Sequence, residues 1–235
     1  AWWAGLTGEV TMFDPIRFAW DFNYGSVTNP NSGRWNRSGW LASALVEYKM
    51  EWAIPGIVGW YSSGDNGNPA DGSERLPSIS ANSVNQFSTL AFQGDPYIAR
   101  TGIIGCDNMA GTWGIGLRLR EVSFVEDLKH TFRINWMGGT NAPQMGRKLA
   151  DHGIYANFNA QGMEPMYLTT EDQALEFGVT STYQMYENFL INLDANYIAM
   201  WLEDRGTNNK RIYSKGNKNE AQDAWNINVS FVYSF

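Results

Sequence analysis

The last twelve residues, AWNINVSFVYSF at 224–235, alternate without a break. Trp225, Ile227, Val229, Phe231, Tyr233 and Phe235 fall on one face, and Asn226, Asn228, Ser230, Val232 and Ser234 on the other. A two-residue period is that of a β-strand whose two faces meet different surroundings. The same period runs through IRFAWDFNYGS at 16–26, with Ile16, Phe18, Trp20, Phe22 and Tyr24 opposed by Arg17, Ala19, Asp21, Asn23 and Gly25. Working outward, segments near 2–12, 38–52, 55–63, 111–122, 128–138, 174–186 and 189–201 read alike, which gives nine strands and almost no helical spacing. Each is ~10 residues long, the length with which a tilted strand crosses a bilayer.

The connections sort into two kinds that alternate along the chain. Short turns at 13–15, 52–55, 123–127 and 186–188 are followed by long polar loops at 27–37, 62–110, 139–173 and 202–222, rich in Gly, Asn, Ser and Pro. One end of the sheet therefore carries turns and the other loops, the asymmetry of an outer-membrane barrel with its turns on the periplasmic side. The expected fold is all-β, a transmembrane antiparallel barrel, with residues 1–235 forming a single barrel segment.

Composition narrows the function. Seventeen Lys and Arg against 24 Asp and Glu leave a net charge of −7, which excludes a basic nucleic-acid binder. No run of ~20 apolar residues offers a membrane helix. The single Cys106 excludes an internal disulfide framework or a cysteine zinc site, and the opening AWWAGLTGEV has no basic or apolar leader, so any signal is removed or lies upstream. The competing fold is a soluble β-sandwich or lipocalin-like barrel with its apolar face inward. Three features favour the membrane: aromatics at strand ends (Trp2, Trp3, Trp40, Trp52, Trp60, Trp113, Trp136, Tyr186, Trp201, Trp225), an opposite face that mixes glycine, amide and ionic residues, and the closing Phe235.

On these residues a resemblance can be stated. ALEFGVTSTYQMYENFLINLDANYIAMWLED at 174–204, the polar loop after it and the closing AWNINVSFVYSF resemble the C-terminal hairpin and last strand of outer-membrane porins. With GWYSSGDNGNPADG at 59–72, the chain is similar to the homotrimeric porins of sulfate-reducing bacteria, which have a distant likeness to alginate-export barrels. The resemblance implies a homotrimer of water-filled barrels in the outer membrane of a Gram-negative bacterium, passing small hydrophilic solutes and ions without catalysis. It also implies that Phe235 and Tyr233 form the carboxy-terminal signal read by the barrel-assembly machinery. Single-chain barrels have even strand numbers, so nine implies a missed strand, for instance in 85–105, or a strand upstream. The family likeness favours the C-terminal portion of a barrel of about 16 strands.

The selectivity of such a channel resides in wall charges and a folded-in loop. By alternation the lumen-facing charges are Glu9, Arg17, Asp21, Glu47, Lys49, Arg118, Arg120, Lys129, Arg133, Glu176 and Asp194. Arg118, Arg120 and Arg133, on two strands joined by one turn, form a basic stripe. They either line the eyelet or, nearer the rim, Arg118 and Arg120 pair with Glu121 or Glu176. Loop 62–110 is the expected constriction loop, with Asp65, Asp71, Glu74 and Asp95, and with Phe87, Phe92 and Tyr97 packing on the wall. Its stretch 64–74 has oxygen ligands at the spacing of a Ca²⁺ loop but not that of an EF-hand; a solvated turn cluster is the other reading. No other cofactor or metal is expected. Arg205, Lys210, Arg211, Lys215 and Lys218 in loop 202–222 either meet lipopolysaccharide and lipid or are solvated decoration. Ala42 and Ala44, with Ala4 and Gly8, give a flat outer patch that suits a trimer contact.

Two other functions compete. An adhesin or receptor would act through the long loops. A barrel hydrolase would need a His beside a Ser or Asp at the rim; His130 is expected on the outward face and His152 lies beside Asp151 in a loop.

Overall fold

The computed structural model describes residues 1–77, 109–151, 168–203 and 223–235. Nine strands follow in chain order: β1 (Trp2–Phe13), β2 (Ile16–Val27), β3 (Arg37–Tyr48), β4 (Ile54–Ser62), β5 (Thr112–Val125), β6 (Leu128–Gly139), β7 (Gln173–Tyr186), β8 (Phe189–Trp201) and β9 (Ala224–Tyr233). They form one sheet in which every strand pairs antiparallel with the next, so the order in space is the order in sequence. The sheet is open, with β1 and β9 as its edges. Helix is confined, among the described residues, to one turn of 3-10 helix at Gly33–Trp35 and to α1 (Pro143–Asp151); no helix there is long and apolar enough to cross a membrane.

Nine strands and alternating turns and loops agree with the sequence reading, but two boundaries move. β3 stops at Tyr48, and the turn that follows bonds Met50 N to Ala53 O (2.9 Å). Lys49 donates its N–H to Pro15 O (2.9 Å) and so belongs to the turn end, not to the wall. β5 runs on to Val125 through two register shifts, after Leu119 and after Val122, and Glu121 takes φ 59°. Such bulges end strict alternation, which is why the period in the sequence stops at 122. The expected strand within 85–105 lies outside the described residues.

The two faces of the sheet are reversed relative to a water-soluble domain. The apolar face is exposed: on β9, Trp225 is 71% accessible and Phe231 67%, and Leu6, Ile57, Leu117, Ile134 and Phe177 are exposed likewise. The opposite, inner face is buried and polar, holding Glu47 (2%), Glu176 (0%), Asp194 (1%), Arg118, Asn135 and Asn192. Soluble proteins bury Asp, Glu and Arg rarely and only when paired. On the exposed face, aromatic contacts gather towards both ends of the strands. Trp2 packs on Tyr24, Trp40 on Phe22 and Tyr61, and Trp113 on Trp136 at the loop end; Phe189 stacks on Phe231, and Tyr233 on Phe235, at the turn end.

Trp3 and Trp60 are exceptions to the expected girdle. Both point inward: Trp3 donates Nε1–H to Pro77 O (2.8 Å), and Trp60, 5% accessible, donates Nε1–H to Thr112 Oγ1 (3.1 Å). Trp60 lies over Gly114, where any Cβ would overlap its ring. Around it Met109, Met137, Leu168, Ala174 and Ile198 form an apolar cluster on the loop-end half of the inner face. The inner face is thus apolar under the loops and charged nearer the turns, where the sequence reading expects glycine, amide and ionic residues throughout.

Candidate functional site

The charged half is organised by register. One row of cross-strand partners runs Arg17, Glu47, Gly56, Arg118, Arg133, Gly178, Asn196, Asn226, through β2 to β9. Adjacent strands stand ~4.8 Å apart, so the long side chains of this row can reach partners one or two strands away. Glu47 is the centre. Its Oε2 accepts from Arg17 Nη1 (2.8 Å), and its Oε1 accepts from Arg118 Nη2 (2.6 Å) and Arg120 Nε (3.0 Å). Glu47 and Arg118 are two strands apart, separated by Gly56, where a Cβ would stand 3.0 Å from Glu47 Cγ. Glycine at that point leaves the lane through which carboxylate and guanidinium meet.

The network continues outward from this centre. Arg17 also binds Glu9 Oε2 (2.8 Å), Arg120 binds Glu121 Oε1 (2.6 Å), and Lys129 lies 3.5 Å from Glu121 Oε2. Arg118 and Arg133 are direct cross-strand partners, an arrangement that is unfavourable for like charges. They turn apart: Arg118 reaches to Glu47 and Arg133 Nη1 donates to Thr180 Oγ1 (2.6 Å) on β7. Thr180 in turn donates to Asp194 Oδ1 (2.5 Å), which places Arg133, Thr180 and Asp194 in one chain; Asn192 donates to Asp194 Oδ2 (2.9 Å). Glu176 accepts from Asn135 Nδ2 (3.0 Å), one row nearer the loops. Beyond β8, the Tyr197 hydroxyl and the Met200 N–H (3.0 Å) hold the Asp223 carboxyl below its ordinary range.

The expected wall residues are therefore distributed as follows. Arg17, Glu47, Arg118 and Arg120 converge; Arg133 and Asp194 join through Thr180; Glu176 is buried against Asn135; Asp21 accepts from Asn23 (2.5 Å) apart from the cluster; Lys49 is in a turn. Arg120 does pair with Glu121, whereas Glu176 takes neither Arg118 nor Arg120. The counter-ion that matters most, Glu47, was not expected as their partner. The available signal was Gly56 between two long ionic side chains in register.

At the loop end the described loop segments fold over the inner face and bind one another. Inward-facing Gly39 and Gly139 lie so close under the backbone of 74–76 and 168–169 that a Cβ at either would overlap it. Ser63 Oγ donates to Glu74 O (2.6 Å), buried Arg75 donates Nη2–H to Ala110 O (3.0 Å), and Thr140 Oγ1 donates to Ser62 O (2.8 Å). Asp172 accepts Thr169 N–H (2.6 Å) and Glu203 N–H (2.8 Å). Of the expected constriction residues, Asp65 is buried in this cap. Asp71 accepts from Asn68 Nδ2 (2.8 Å) and Glu74 from Asn66 N (2.8 Å), so 66–74 closes on its own amides. No group of three metal-ligating side chains occurs among the described residues. Asp95, Phe87, Phe92, Tyr97, Cys106, His152 and the basic residues of loop 202–222 lie outside them.

On the exposed face, Ala42 and Ala44 stand outward, but the Trp20 ring lies over Gly8 and fills the hollow a flat patch there would need. His130 hydrogen-bonds Ser181 (2.8 Å) from the facing strand and packs on Phe132. Phe235 is fully exposed beyond β9. Comparison of the chain with family models, curated proteins and solved structures gives no match.

Proposed function

We propose that this chain forms part of the wall of an outer-membrane diffusion channel, through which small hydrophilic solutes and ions pass without chemical change. The observation that carries the reading is the reversal of the two faces: Trp225, Ile227, Phe231 and Leu117 exposed, Glu47, Glu176 and Asp194 buried. In water an apolar face of this extent is an aggregation or binding surface; in a bilayer it is the lipid-facing wall, with polar side chains towards the lumen. Turns at one end, loops at the other and aromatics at both ends of the strands support the same assignment.

Lipid also demands that the sheet close, because unpaired backbone groups cost several kcal/mol each in hydrocarbon. β1 and β9 run in the same direction, so an all-antiparallel ring places an odd number of strands between them. A barrel of about 16 strands meets that condition with these nine. In keeping with the porin resemblance, the assembly is a homotrimer in a Gram-negative outer membrane, contacting lipopolysaccharide outside and inserted through recognition of Tyr233 and Phe235. The test is to incorporate the purified protein into planar bilayers: stepwise, ohmic conductance increments are expected, and a protein that inserts yet carries no current contradicts the reading and favours an adhesin.

A further inference from the structure

Asn141 lies just beyond β6 and is fully buried. Its amide makes three hydrogen bonds to backbone, using both donors and its oxygen. Oδ1 accepts from Asp65 N (2.9 Å), and Nδ2 donates to Gly111 O (3.2 Å) and to Leu168 O (2.5 Å). Its own carbonyl accepts from Thr170 N (2.9 Å), and the next residue, Ala142, donates N–H to Asp65 O (2.7 Å). The partners sit 76, 30 and 27 residues away in sequence, at the two ends of the β4–β5 connection and at the β7 end of the connection that holds Asn141 itself. The approach is possible because Gly111 takes φ +75° and has no Cβ, which would stand 2.6 Å from Asn141 Nδ2. Asparagine suits the position because one acceptor and two donors are needed together; Asp lacks the donors and Leu lacks all three.

From this geometry we infer that Asn141 is a positioning residue that sets the size limit at the loop-end mouth of the channel, an inference that rests on the proposed function. The three segments it ties run over the inner face at that end, where Gly39 and Gly139 lie directly beneath loop backbone. Removing the amide leaves three buried backbone groups without their partner, which drives those segments to swing towards water to satisfy them. The mouth widens while the strands below, held by their own ladders, stay in register. The charged row around Glu47 is unaffected, so ion selectivity stays constant while size selectivity changes.

The experiment compares the wild-type protein with Asn141→Ala and Asn141→Ser in planar bilayers and in liposome swelling with a graded series of neutral oligosaccharides. The alanine variant is expected to conduct roughly one and a half to two times more than wild type and to admit larger sugars at unchanged anion/cation preference, since pore diameter and lining charge act separately on what passes. The serine variant, which keeps one donor and one acceptor, should shift in the same direction by less. Unchanged conductance and size limit in variants that assemble normally overturn the inference, as does failure of both variants to assemble, which would make Asn141 a folding residue. Wild-type protein without channels would instead overturn the proposed function on which this rests.

Discussion

Glu47→Gln should be among the most damaging single changes in the sheet. The carboxylate is 2% accessible and holds Arg17, Arg118 and Arg120, and the amide that replaces it cannot neutralise any of them. Breaking a buried ion pair by removing one partner costs about 3–5 kcal/mol, because the other charge stays buried and uncompensated. Here three guanidiniums lose one counter-ion at once, and their mutual repulsion adds to that. The expected result is a markedly lower temperature for the heat-induced shift in electrophoretic mobility that reports unfolding of the sheet. Adding Arg118→Gln should recover part of the loss, because neighbours that share a partner are not additive. Material that survives should also be more anion-selective, the inner face having gained one positive charge. A Glu47→Gln protein as heat-resistant as wild type, with an unmoved reversal potential, would show that the carboxylate is not the centre of this network.

Leu117→Arg should fail for the opposite reason. Leu117 lies mid-strand on the exposed face between Ile57 and Ile134 and is 58% accessible. Arginine at the midplane of a lipid-facing barrel wall costs about 2–4 kcal/mol, while the same change on a water-facing surface usually stays within about 0.5 kcal/mol. The effect should shrink at the ends of the strands, so Tyr186→Arg near the turn is expected to be nearly silent. The measurement is denaturant unfolding of the protein refolded into lipid vesicles. Equal stability of the Leu117 and Tyr186 variants would remove the lipid from the account.

How much of this could be read from the chain follows from where the information is local. The period in 16–26 and 224–235 is a property of neighbouring residues, and it placed β2 and β9 and divided their faces correctly. The turn after β5 was placed too early because the bulges around Glu121 shift parity without leaving a Gly or Pro to mark them. Trp60 and Trp3 read as girdle residues because they sit at strand ends. Their direction follows from strand parity, Trp3 sharing the face of Glu9 and Trp60 that of Gly56, whereas the partner of Trp60, Thr112 of β5, is more than fifty residues away. Arg118 and Arg120 were legible as residues of the polar face, but their bond to Glu47 spans β4 and became visible only once the register put Gly56 between them. Asn141 carried no signal at all, since a lone Asn after GGT reads as an ordinary turn residue and its partners stand at both ends of the β4–β5 connection and at the far end of its own.

The central claim is that the exposed apolar face meets lipid and the polar face meets water. It is tested most directly by nitroxide labels placed one at a time at 18–23 of β2, in a Cys106→Ser background, in protein reconstituted into liposomes. Labels at 18, 20 and 22 should be relaxed strongly by oxygen, which concentrates in hydrocarbon, and weakly by a hydrophilic nickel chelate; labels at 19, 21 and 23 should show the reverse. Free access of the nickel chelate to 18, 20 and 22 would contradict the account, because the face carrying Phe18, Trp20 and Phe22 would then be standing in water.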